Sequence, residues 1–123
     1  MARNALFLGN EKFDEHSIPR CTYTDPEIAA IGPSEAQLRK DGIEFDVYCK
    51  NFEHNDRAIC ESQKGLYKVL TTKGGDKILG ATLVGGPAGD LIGLVSTAMH
   101  NKIGIQKLGA AIYPYPTYAE IFR

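Results

Sequence analysis

The chain has 123 residues, enough for one domain of the usual ~100–200 residues and cramped for an enzyme that must hold both a cofactor and a substrate domain. Fourteen Lys and Arg against fifteen Asp and Glu give a net charge of −1, which leaves no basic surplus for a phosphate backbone or an anionic bilayer and argues against nucleic-acid and membrane-surface partners. Apolar runs stop well short of the ~20 residues of a membrane span and no secretion signal opens the chain, so a soluble, cytoplasmic protein with a real core is expected.

Taken in chain order, Ala2 to Phe13 read as helix-like and then loop-like, Leu6, Phe7 and Leu8 running into Gly9 and a charged stretch. A first strand is expected over Ile18 to Tyr23. Thr24-Asp25-Pro26-Glu27 then supplies turn chemistry before an apolar run, Ile28 to Ile31, that ends at Gly32-Pro33. Ser34 with Gln37 fits a capping box and Gly42 suits the left-handed position past a helix end, giving a short helix from Glu35 to Asp41.

β-Branched and aromatic residues return over Phe45 to Phe52, and Glu53, Asp56, Arg57 and Glu61 then form a mixed-charge loop. Leu66 to Thr72 and Lys77 to Val84 flank Lys73-Gly74-Gly75-Asp76, the pattern of an antiparallel hairpin. Leu91, Leu94, Val95, Ala98 and Met99 fall on one 3.6-residue stripe, predicting a helix from Gly89 to Asn101. A shorter helix is expected near Gln106, and a second capping box, Thr117 with Glu120, should open a last one. Strands do not alternate with crossover helices, so the expected class is α+β: a mostly antiparallel sheet covered by helices on one face.

Gly85-Gly86-Pro87-Ala88-Gly89 invites a phosphate-loop reading. It lacks Gly-Lys-Ser/Thr and GxGxxG spacing, and Asp90 puts a negative charge where a phosphate would sit, so a plain strand-to-helix turn is expected, with Asp90 favoured by the helix dipole. Cys21, Cys49 and Cys60 form neither a disulfide framework nor a CxxC pair and read as buried thiols. His16, His54 and His100 show no ligand spacing, so a metal centre built from the cysteines and a histidine would have to be assembled by folding.

The closing run Tyr113-Pro114-Tyr115-Pro116-Thr117-Tyr118-Ala119-Glu120 packs two prolines and three phenols into eight residues, and Tyr-Pro bonds are favoured places for a cis peptide. Two readings of Glu120 stand side by side. It completes the capping box, or it stands behind an outward-thrust Tyr115 as an orienting carboxylate.

Together, Ile18-Pro19 through Thr24-Asp25-Pro26-Glu27-Ile28-Ala29-Ala30-Ile31-Gly32, the Asn55-Asp56-Arg57-Ala58 loop, Ile78-Leu79-Gly80-Ala81, Val84-Gly85, Ala88-Gly89-Asp90-Leu91-Ile92 and Tyr115-Pro116-Thr117-Tyr118-Ala119-Glu120 resemble the C-terminal dimerisation domain of the pyridine nucleotide-disulfide oxidoreductases. The likeness covers residues 18 to 123. It implies residues 1–15 as the remnant of a preceding FAD-domain helix and linker, and residues 16–123 as the dimerisation domain, cut within its last helix.

The resemblance further implies a homodimer in which Tyr115 and Glu120 act in the partner subunit's active site and Pro116 and Thr117 lie at the cofactor. FAD and NAD(P)H would be held by N-terminal domains of a longer parent chain, since neither a glycine-rich dinucleotide loop nor a Cys-x4-Cys pair is present; the fragment alone should bind neither and should not turn over. Most members carry a histidine before the Pro-Thr pair, where this chain has Tyr115. An imidazole titrates near pH 6.5 and a phenol near 10, so Tyr115 suits hydrogen bonding or weak ligation better than proton shuttling. That tyrosine is similar to mercuric reductase and its relatives. The alternative is a stand-alone, non-catalytic dimeric scaffold that borrows the fold.

Overall fold

The computed structural model describes residues 14–123, so the expected FAD-domain remnant lies almost wholly outside the described residues. Five strands, β1 (Arg20–Thr22), β2 (Ile28–Ile31), β3 (Phe45–Asn51), β4 (Leu66–Thr72) and β5 (Ile78–Val84), form one sheet in the order β1-β2-β5-β4-β3. Every neighbouring pair is antiparallel. Register puts Ala29 and Tyr67 on either side of Leu83, and Ile31 and Val69 on either side of Ala81. Because side chains alternate along a strand, these six share one face. All are buried.

The stripe read from the sequence forms α3 (Ala88–His100), which lays Leu91, Ile92, Val95 and Ala98 on that face. Leu108 of α4 (Ile105–Ala110), with Ile121 and Phe122 of a closing 3-10 turn (Tyr118–Phe122), completes the same core. The α+β class is as expected, and the hairpin strands lie within a residue of their expected bounds. Among the described residues, no helix is long and apolar enough to cross a membrane.

The departures are local. β1 is shorter than expected because Ile18 closes a 3-10 turn (Glu15–Ser17) and Pro19 has no N–H to give a ladder. In α1 (Glu35–Lys40), Ser34 Oγ accepts the Gln37 N–H at 3.3 Å, but the Gln37 amide turns forward to Asp41 at 2.8 and 2.9 Å, leaving the capping box half closed. The mixed-charge loop is instead a 3-10 turn (Phe52–His54) and a helix, α2 (Asp56–Cys60). None of the three cysteines is buried as expected: Cys21 on β1 is half-buried, Cys49 lies exposed on the edge strand β3 and Cys60 at the exposed end of α2.

The glycine-rich turn before α3 is filled from within. Pro87 offers no capping side chain, and Glu27 Oε2 accepts the Gly89 N–H at 2.9 Å, setting a carboxylate at the positive end of the helix. Asp90 does lie in the first turn of α3, as its expected interaction with the helix dipole requires, and Glu27, from the connection between β1 and β2, adds the hydrogen-bonding carboxylate.

Candidate functional site

The closing segment is a hook set in the core at both ends. At one end the Tyr113 hydroxyl donates to the Leu108 carbonyl at 2.8 Å. At the other, Phe122 meets Tyr67 edge-on, centroids 5.0 Å apart, and Tyr113 at 6.0 Å. Between them the Tyr115–Pro116 peptide is cis, and Tyr115 stands 72% exposed. Its hydroxyl donates to Asp56 Oδ2 at 2.7 Å.

Thr117 turns its polar groups inward. Its hydroxyl donates to the Pro114 carbonyl at 2.7 Å and its N–H to Glu120 Oε2 at 3.2 Å. Its carbonyl accepts Asn55 Nδ2 at 3.0 Å. The capping box expected of Thr117 and Glu120 is formed, on a 3-10 turn. Glu120 thus serves the hook's backbone, and the carboxylate that meets the Tyr115 phenol is Asp56.

The platform under the hook is α2. Asn55 is 4% exposed and works in both directions, its Oδ1 accepting the Ala58 N–H at 3.0 Å while its amide holds the hook. Tyr118 lies edge-on to Phe52 at 5.7 Å and donates its hydroxyl to Glu61 Oε2 at 2.5 Å. Arg57 pairs with the other oxygen of Glu61.

Charge follows geometry. Burial, and then the Glu61 hydrogen bond, push the Tyr118 phenol up to about 12. The same hydrogen bond, with the Arg57 guanidinium, holds the Glu61 carboxyl below the usual carboxylate range. Tyr115 also lies above an ordinary phenol, first through its hydrogen bond to Asp56 and then through that carboxylate's charge. Both phenols therefore stay protonated at neutral pH. A cleft of about 680 Å³ opens beside the hook, lined in part by Lys50, His54, Asp56, Glu120 and Arg123.

Of the residues singled out from sequence, Tyr115, Pro116, Thr117 and Glu120 come together on the hook. Asn55, Asp56 and Glu61 hold it; the sequence reading placed Asp56 and Glu61 in a mixed-charge loop and Asn55 and Asp56 in the Asn-Asp-Arg-Ala run, and gave none of them a part in the hook. The available signal was Asn55 standing three residues before Ala58, the spacing of a helix cap. The metal alternative gathers nothing: among the described residues, no group of three or more His, Cys, Asp or Glu side chains is placed to hold an ion.

The model of the pyridine nucleotide-disulphide oxidoreductase dimerisation domain matches residues 18–123. The chain belongs to this family. It is 34% identical over 116 residues to the mitochondrial dihydrolipoyl dehydrogenase of Sus scrofa, a match that covers 94% of this chain and 23% of that protein. The domain therefore spans about a quarter of the length of such relatives. Its fold is shared with LpdA of Mycobacterium tuberculosis (TM-score 0.86, 22% identity, 96% of this chain and 26% of that one). It is shared as well with the HOCl-induced flavoprotein disulfide reductase RclA of Escherichia coli (TM-score 0.83, 22% identity, 98% and 28%).

The start of α3 is not built as a pyrophosphate cradle. The N-terminus of α3, where backbone N–H groups would cradle a pyrophosphate, already holds the Glu27 carboxylate, and a second anion there would face like charge.

Proposed function

We propose that this domain is the dimer-forming part of a longer, flavin-dependent NAD(P)H oxidoreductase and that it lends Tyr115 and Glu120 to the active site of the partner subunit. The single observation that carries the reading is the presentation of Tyr115: a mostly exposed phenol on a hook packed against the core by half-buried Tyr113 at one end and by buried Ile121 and Phe122 at the other. A large aromatic residue held outward by its own hydrogen bond to Asp56 and by three hydrogen bonds of Thr117 is built to meet something outside its own chain. A two-fold dimer supplies such a partner, because the same patch then serves both subunits.

In this reading Glu120 fixes the turn that aims Tyr115. Pro116 and Thr117 border the cofactor, Thr117 through its methyl group because its polar atoms are engaged within the hook. When bound in the parent, FAD and NAD(P)H supply electron transfer; this chain's residues orient a hydroxyl and exclude water. Names among the relatives support a disulfide-directed chemistry, dihydrolipoyl dehydrogenase and flavoprotein disulfide reductase among them. Tyrosine in place of the usual histidine supports the likeness to mercuric reductase and an acceptor whose reduction does not need an imidazole.

The test is Tyr115→Phe in the full-length flavoenzyme. FAD content and NAD(P)H-dependent flavin reduction should be unchanged, while turnover with the acceptor falls about tenfold or more, the loss expected from one hydrogen bond worth at least ~1.4 kcal/mol in the transition state. Unchanged turnover would reduce Tyr115 to a packing role.

A further inference from the structure

We infer that Asp56 is a positioning residue for Tyr115, engaging its only O–H so that the hook offers the next molecule the lone pairs of the phenolic oxygen rather than a proton. A tyrosine hydroxyl has one hydrogen to give and can also accept. Here the hydrogen is given, at 2.7 Å, to a carboxylate on α2, fifty-nine residues away in sequence. An O–H donated to an ionised acceptor is among the stronger hydrogen bonds, so a competing acceptor must displace a charge-assisted contact. A competing donor need displace nothing.

The contact is also aimed. Asp56 is the first residue of α2, and Asn55 immediately before it ties the same helix to the hook by capping Ala58 and holding the Thr117 carbonyl. Phe52 beneath them is fully buried and meets Tyr118 edge-on. The carboxylate and the phenol thus sit on two segments locked to each other by independent contacts, which fixes the direction of the remaining lone pairs.

The chemical consequence concerns what Tyr115 favours. A group that brings a proton or positive charge, such as a thiol S–H, an ammonium or a hydrated cation, meets an electron-rich oxygen. A thiolate or carboxylate meets a hydroxyl already engaged, with the Asp56 charge behind it. This consequence rests on the proposed delivery of Tyr115 to a partner site; the pairing with Asp56 does not.

The titratable groups that face the Tyr115 hydroxyl are Asp56 and Cys60 of α2 and Glu120 of the closing turn. The experiment is a pH titration of the chain carrying 13C-labelled tyrosine, followed by NMR at the ring Cζ, with Tyr115→Phe identifying the Tyr115 signal. In the unaltered chain Tyr115 should titrate above an ordinary phenol. Asp56→Asn should lower its midpoint toward 10, and Asp56→Glu, which restores the charged acceptor, should raise it again. Backbone spectra of both variants report whether α2 is intact; a collapsed variant is replaced by Asp56→Ser, which retains a helix-starting residue without the charge and carries the same expected downward shift. A midpoint that stays where it is when the carboxylate is removed overturns the pairing. Because no dimer and no turnover enter the measurement, failure of the pairing and failure of the proposed function are read separately.

Discussion

The face between sheet and α3 and the hook on α2 are built from different forces. On the sheet face, Leu83, Val95 and Ala29 are fully buried among other apolar side chains, and their contribution is area removed from water. On the hook, the contacts that orient Tyr115, Thr117 and Tyr118 are hydrogen bonds to Asp56, Asn55 and Glu61, two of them to carboxylates. Apolar burial responds weakly to pH and steeply to lost volume; charge-assisted hydrogen bonds respond in the opposite way. A domain made this way has a scaffold insensitive to pH and a presenting segment whose contacts depend on it.

Three substitutions and two changes of pH break that contrast or sharpen it. The largest effect is expected from Phe52→Ala, which opens a void under both regions. It should cost about 3–5 kcal/mol in denaturant unfolding and loosen core and hook together. Next comes Asn55→Ala, which removes the cap of α2 and the anchor of the Thr117 carbonyl at once. It should cost about 1–2 kcal/mol, with hydrogen-exchange protection lost at residues 114–120 and retained in β4 and β5.

Glu27→Ala strips the bond to the Gly89 N–H and should cost about 0.5–1 kcal/mol, confined to the first turn of α3 and silent at the hook. The smallest effect is acid. Glu61 has its carboxyl held below its ordinary value of 4.5 in the folded chain, so its contribution is complete above that pH and is lost as pH falls through the lowered value. Far-ultraviolet circular dichroism should hold there while the Tyr118 signal broadens. At the alkaline end the sign reverses. Tyr118 titrates near 12 when folded and near 10 when unfolded, so stability should decline as pH rises through that interval.

How far the sequence foretold this follows the same division. α3 was legible because apolar residues repeat at helical spacing, of which Leu91, Val95 and Ala98 are buried and Leu94 is exposed, and β4 and β5 because β-rich runs flank Gly74-Gly75. α2 was not: five residues with two charges show no apolar period, and its stability comes from the Asn55 cap and the Phe52 anchor. The candidate site divides likewise. Tyr115 and Glu120 stand in a compact motif, but Asp56 and Glu61 reach their phenols across 59 and 57 residues, distances over which local spacing carries no signal. Proline and phenol content marked the hook as exposed; only folding reveals what it leans on.

The central claim, that Tyr115 acts in the other subunit, is tested most directly by subunit complementation in the full-length flavoenzyme. One subunit carries Tyr115→Phe with its redox-active cysteines intact; the other keeps Tyr115 but has those cysteines replaced. The account predicts that neither homodimer turns over well and that the hybrid regains up to about half the activity of the unaltered enzyme, since its one working site receives a tyrosine from across the two-fold. A hybrid no more active than the two parents would place Tyr115 in its own subunit's chemistry and contradict the account.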